Sequence, residues 1–244
     1  MSYDPYRPQA TVAATGSDVD AGLQGFMRSV YNTMGLGLGV TGITAFGFAQ
    51  MMLGNEQLRQ AVMGSFLGLA LAFAPLGFIF FGFTGSRIQR MSAASLRTLF
   101  FVFSGVMGLS MASIFLIYSA ESIARVFFIS AGMFAATSLY GYTTKRDLAR
   151  MGSFMFMGMI GLLIAGVVNM FLQSSMLHFV TSGVGVIVFT GMAAWDTQRL
   201  KETYAHGAHL AEANSKLAVM GALNMYINFV ALFQYMLSFL GNRE

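Results

Sequence analysis

Val180-Thr-Ser-Gly-Val-Gly-Val-Ile-Val-Phe-Thr-Gly-Met-Ala-Ala-Trp195-Asp196-Thr197-Gln198-Arg199-Leu200-Lys201 decides the fold. An apolar run long enough to enter a bilayer passes, with no Pro or Gly between, into an acid, two neutral polar residues and two bases. A carboxylate one or two turns inside a membrane helix is expensive and is kept for function or pairing. The negative end of the helix dipole adds to the cost. Asp196 therefore needs a partner or a water-filled cavity, and the rest of the chain has to supply it.

The composition agrees with a membrane setting. Of 244 residues, 56% are hydrophobic and 10% charged, against about 25% charged in soluble domains. Gly, Phe and Met are abundant, as in polytopic membrane proteins. There is no cysteine, which excludes disulfides, thiolate zinc sites and thiol catalysis. The net charge of +4 is spread over loops. It argues for an orientation in the bilayer and against nucleic-acid binding.

Working outward, seven apolar runs appear: Val30–Leu53, Leu58–Thr84, Leu96–Ser119, Ser122–Thr144, Met151–Leu172, Leu177 to about Lys201, and Leu217–Leu240. Each has roughly 20 or more residues, enough to span about 30 Å of hydrocarbon. The reading is an all-α protein with seven transmembrane helices over residues 26–244. Residues 1–25 form a polar tail with no apolar h-region, expected to be disordered and not a secretory signal. Pro75 predicts a kink in the second run. Gly35-x-x-x-Gly39 and Gly64-x-x-x-Gly68 predict close helix packing.

The bases set the orientation. All Lys and Arg except Arg59, Arg125 and Arg243 fall in the tail and in the loops after the second, fourth and sixth runs. With seven spans these segments share one side, which the positive-inside rule makes cytoplasmic. The N-terminus is then cytoplasmic and the C-terminus on the outer side.

Asp196 is the first candidate for chemistry, as a titratable or cation-coordinating group. The plainer alternative is an interfacial acid paired with Arg199 or a loop base. Asn224 and Asn228, four apart in the last run, share one face with Ala231 and Tyr235. This polar and small stripe is expected to turn away from lipid, which makes the last helix an inner one; interhelical packing is the plainer reading. Arg87, past the second run, is either an ordinary flank or the counter-ion of Asp196. His206 and His209 have a spacing compatible with a metal but lack companion ligands, and His178 lies too far to join them. No nucleophile elbow, phosphate loop or zinc-protease motif is present, so no enzymatic activity and no cofactor is expected.

Three motifs resemble the Bax inhibitor-1 family, whose bacterial branch includes YccA-like proteins. They are Gly141-Tyr-Thr-Thr-Lys-Arg-Asp147-Leu148, Ala193-Ala-Trp-Asp196-Thr-Gln198-Arg-Leu-Lys201, and Ala222-Leu-Asn-Met-Tyr-Ile-Asn228-Phe-Val-Ala-Leu-Phe. The resemblance implies six helices around a central seventh, in the bacterial inner membrane, and a pH-sensitive calcium leak. It implies an aspartate pair on spans six and seven, latched by an arginine near the end of span two. Asp196 matches the first aspartate and Arg87 the arginine. The second aspartate is replaced by Asn228.

That departure has a physical meaning. Two touching carboxylates cannot both ionise easily, and the conflict makes a switch; an Asp–Asn pair has no such conflict. The expectation is a cation leak with altered pH gating and low calcium affinity, since calcium prefers several oxygen ligands and Asp196 is the one charged ligand. The other reading is a non-transporting regulator that modulates membrane proteolysis or stress survival through protein contacts, a membrane protease being the partner. Counted from Lys201 and Leu217, Asp196 and Asn228 lie about 8 and 16 Å deep, so contact requires staggered helix ends.

Overall fold

A computed structural model describes residues 16–207 and 211–242. Among the described residues ten helices follow in order: α1 (Gly16–Gly54), α2 (Glu56–Gly64), α3 (Phe66–Gly82), α4 (Gly85–Arg90), α5 (Ala93–Met111), α6 (Ile114–Ile117), α7 (Ala120–Thr143), α8 (Ala149–Leu172), α9 (Ser175–Gly207) and α10 (Ala211–Leu240). Helix α1 begins before the expected tail boundary at residue 25, and Leu23, Phe26 and Met27 are already buried. These three open a stripe that continues through Val30 and Met34, the helical spacing that keeps one face on a core.

Six of the helical segments are long and apolar enough to cross a membrane, counting α5 and α6 as one. The second run behaves differently. Helices α2 and α3 meet the requirement only together, and they are bent by 66° at their junction. The break lies at Ser65, not at the predicted Pro75. Ser65 is extended (φ −131°, ψ 176°), and its hydroxyl accepts the Leu67 N–H at 3.1 Å to cap α3. Pro75 sits within α3. Gly64 and Gly68 thus flank a break and do not form a packing face. A Cβ on Gly68 would lie 1.8 Å from the Val62 carbonyl oxygen, which is how the chain turns so tightly there.

Helix α10 is the inner helix. Its apolar window is 67% buried, against 6–33% for the other spans. It packs on α9, α1, α7 and α5. Helix α3 packs chiefly on α5, and α8 on α9. The implied ring of six around one is therefore uneven, with four helices on α10 and two outside them. At the centre, the fully buried Tyr226 lies edge-on to Phe100 and Phe103. Its hydroxyl is 2.5 Å from Thr41 Oγ1, which also reaches the carbonyls of Gly37 and Ser104. A hydroxyl has one proton to give, so Tyr226 donates to Thr41, which donates onward. This chain ties α10 to α1 and α5. Gly35 and Gly39, expected at a helix contact, instead face open space.

Candidate functional site

Helices α9 and α10 form the most extensive pairing in the bundle, and the candidate site lies within it. Asp196 is 7% exposed and Asn228 5%. The Asn228 Nδ2–H donates to Asp196 Oδ2. An ionised carboxylate only accepts, so the amide must present its NH2 group. The contact foreseen only for staggered ends is made. Both helices run past the limits read from the sequence, α9 to Gly207 and α10 back to Ala211.

The pair lies in a cleft of about 230 Å³ walled by α8, α9 and α10. Phe156 and Met159 of α8 and Met192 and Trp195 of α9 make its apolar sides. Asn224, one turn before Asn228, also lines it and is exposed at its rim. The rest of the predicted stripe follows the same face, with Tyr235 stacked on Phe189 of α9 at 5.6 Å. Polar side chains from two helices thus converge on one buried carboxylate, and burying such a charge costs several kcal/mol unless it is compensated.

Arg87 does not supply the compensation. It stands exposed on α4 and donates to the Phe81 carbonyl at 3.1 Å. No ion pair joins it to Asp196. Arg199 is the base in the cleft, one turn along α9, with its guanidinium over the Trp195 ring at 5.4 Å. The break at Ser65 and the separate helix α4 set the register of Arg87, and neither is visible in an apolar run. The side chains of His206 and His209 lie outside the described residues. His178 pairs with Ser238 at 3.1 Å, far along α9 from the cleft.

Two residues beside Asp196 have a role that the sequence did not reveal. Gln198, 7% exposed, accepts the Leu148 N–H and donates to the Arg146 carbonyl, both at 2.8 Å. Lys201 donates to the Tyr142 carbonyl at 3.0 Å and lies over the Tyr142 ring. Together they clamp the end of α7 and the loop that follows it onto α9, so the first and second motifs are two halves of one contact. Asp147 accepts from the Ala149 N–H at 2.8 Å, just ahead of α8. Backbone groups carry no residue-type signal, and a side chain that reads them has no partner to find in sequence. A Gln198→Leu change strands two backbone groups, each worth about 1–3 kcal/mol when left unsatisfied. It should lower the thermal midpoint in detergent by several degrees.

Comparison with known proteins decides the family. Residues 23–244 match the sequence profile described as inhibitor of apoptosis-promoting Bax1. The chain belongs to the Bax inhibitor-1 family. It is 39% identical over 225 residues to the Escherichia coli inner membrane protein YbhL, covering 92% of this chain and 94% of that one. It is 42% identical over 239 residues to the uncharacterized protein RP147 of Rickettsia prowazekii, covering 98% of each. An uncharacterized protein of Caulobacter vibrioides is 40% identical over 232 residues, covering 93% of this chain and 92% of the relative. The protein is a multi-pass membrane protein, as its Bax inhibitor-1 relatives lead one to expect.

Proposed function

We propose that this Bax inhibitor-1 family member is a passive cation leak, with calcium as the transported ion, controlled at the Asp196–Asn228 contact. The observation that carries this reading is the buried carboxylate of Asp196, held by an amide donor in a cleft between three helices. In this reading α2 and α3 together make a seventh, broken span. The Arg28, Arg97, Arg146 and Lys201 end of the bundle faces the cytoplasm, as the positive-inside rule directs. The C-terminus is then on the outer side, and YbhL, an inner membrane protein, supports placement in a bacterial inner membrane.

A cation passing Asp196 meets one carboxylate and the amides of Asn224 and Asn228. Calcium takes six to eight oxygens, so the ion would pass with much of its water and would not be held as a resident cofactor. Because Asn228 is neutral, the contact has no second carboxylate to compete for a proton, and its pH response is altered from that of a two-aspartate pair. No enzymatic role is proposed.

The test is calcium flux into proteoliposomes. Asp196→Asn keeps the shape of the pair and removes its charge, and flux should fall at least tenfold while the thermal midpoint is held or rises. Undiminished flux in that variant would remove the mechanism. The lone carboxylate also favours a second reading, a non-transporting regulator acting through protein contacts, for example on a membrane protease. Absence of flux at every pH in the native protein, together with a co-purifying membrane protein, would support that reading instead.

A further inference from the structure

Two large cavities share no lining residue with the Asp196 cleft. They lie between α1 and α7, two helices that both pack on α10. One has a volume of about 700 Å³ and the next about 580 Å³. They share Gly35, Leu38, Phe127 and Phe229 in their linings, so they form one continuous groove floored by α10. Its α1 wall is nearly free of side chains at Gly35, Gly39 and Gly42, where a Cβ would meet nothing within 4 Å. From Arg28 to Gly42 the groove runs about 21 Å along α1, somewhat deeper than the ~15 Å of one leaflet's hydrocarbon.

A basic cluster stands at one end of this apolar trough. Arg28 lines it and also lines a separate cleft of about 400 Å³ between α1 and α5, where Arg97, Ser29 and Asn32 join it. Among the described residues no carboxylate pairs with Arg28 or Arg97.

We propose that the groove between α1 and α7 binds an anionic phospholipid, with its phosphate on Arg28, with Arg97 beside it, and one acyl chain along Gly35, Gly39 and Gly42. The guanidinium fork suits phosphate oxygens. The acyl chain covers the apolar walls of the groove, and the net negative headgroup matches the unpaired bases at its end. This assignment is independent of the cation leak and stands or falls without it.

The test is native mass spectrometry of the full chain in detergent, titrated with phosphatidylglycerol or phosphatidylcholine. The native protein should retain phosphatidylglycerol in preference by on the order of tenfold. Arg28→Gln should abolish the preference, whereas Arg90→Gln, an exposed arginine on α4, should leave it. Gly39→Leu, placed in open space, should fold and yet lower retention of both lipids. Equal retention of the two lipids by the native protein would overturn the proposal. So would equal losses in Arg28→Gln and Arg90→Gln, or unchanged retention in Gly39→Leu. Displacement of the lipid by glycerol phosphate as readily as by intact phosphatidylglycerol would also overturn it, in favour of a free-phosphate site.

Discussion

A Gly141→Val protein is expected to yield little or no monodisperse material in detergent, while Gly132→Ala on the same helix behaves like the native chain. The cause is distance. A Cβ on Gly141 would lie 2.1 Å from the Ala194 carbonyl oxygen and 2.8 Å from its carbonyl carbon. Those atoms are backbone, so no rotamer change can relieve the clash, and α7 and α9 would have to separate. Overpacking a tight contact typically costs 1–3 kcal/mol and occasionally more; a branched side chain against backbone is expected at about 3 kcal/mol or above. Even Gly141→Ala should lower the thermal midpoint clearly. At Gly132 a Cβ meets nothing within 4 Å, which makes it the control for helix propensity alone. The damage should extend to the site, because Ala194 is two residues from Asp196 and Tyr142 is held by Lys201. If Gly141→Ala melts with the native protein, the close approach of α7 to α9 is not as described.

The second large effect is expected from Asn228→Asp. The substitution places a second carboxylate where the amide now donates to Asp196. Two carboxylates in contact titrate as a pair and share a proton, so the contact between α9 and α10 becomes dependent on proton binding. Flux through proteoliposomes should become steeper with pH than in the native protein, approaching the tenfold per pH unit that one linked proton allows. Asn228→Leu gives the complementary loss. It leaves Asp196 buried without this donor, and a hydrogen bond to a charged group is worth about 1.5–3 kcal/mol, readable as a fall in thermal midpoint. A pH profile of Asn228→Asp that superimposes on the native one would remove Asn228 from control of the ion.

How far the sequence carries can be read from particular residues. Six of the seven apolar runs became spans because bilayer thickness imposes a length that composition alone reveals. The polar stripe through Asn224, Asn228 and Tyr235 was legible as an inner face because lipid cannot satisfy amides, and it does face α9. The contact of Asp196 with Asn228 was left open, because the depths counted from the sequence allow it only with staggered helix ends. The broken second run was not legible. Pro75 is the louder residue, yet the break falls at Ser65, whose extended backbone depends on a cap and on the turn around Gly68. Arg87 was misplaced for the same reason, since a separate short helix after Thr84 rotates it away from Asp196. The Gln198 clamp was hidden because its partners are the backbone atoms of Arg146 and Leu148. The tail boundary was set late because Leu23 and Met27 are sparse apolar residues among polar ones, too few to register before their common face is seen.

Helix α8 touches the remainder of the protein along little more than its α9 side, with only 6% of its apolar window buried. Leu163, Ile164 and Phe171 point away from the bundle at 56–83% exposure. Exchanging one hydrocarbon side chain for another at such positions alters contacts with acyl tails and almost nothing else. A cysteine introduced at Ile164, in a chain that has no other thiol, is therefore a natural attachment point for a spin label or fluorophore, reporting on the outer rim without disturbing the interior.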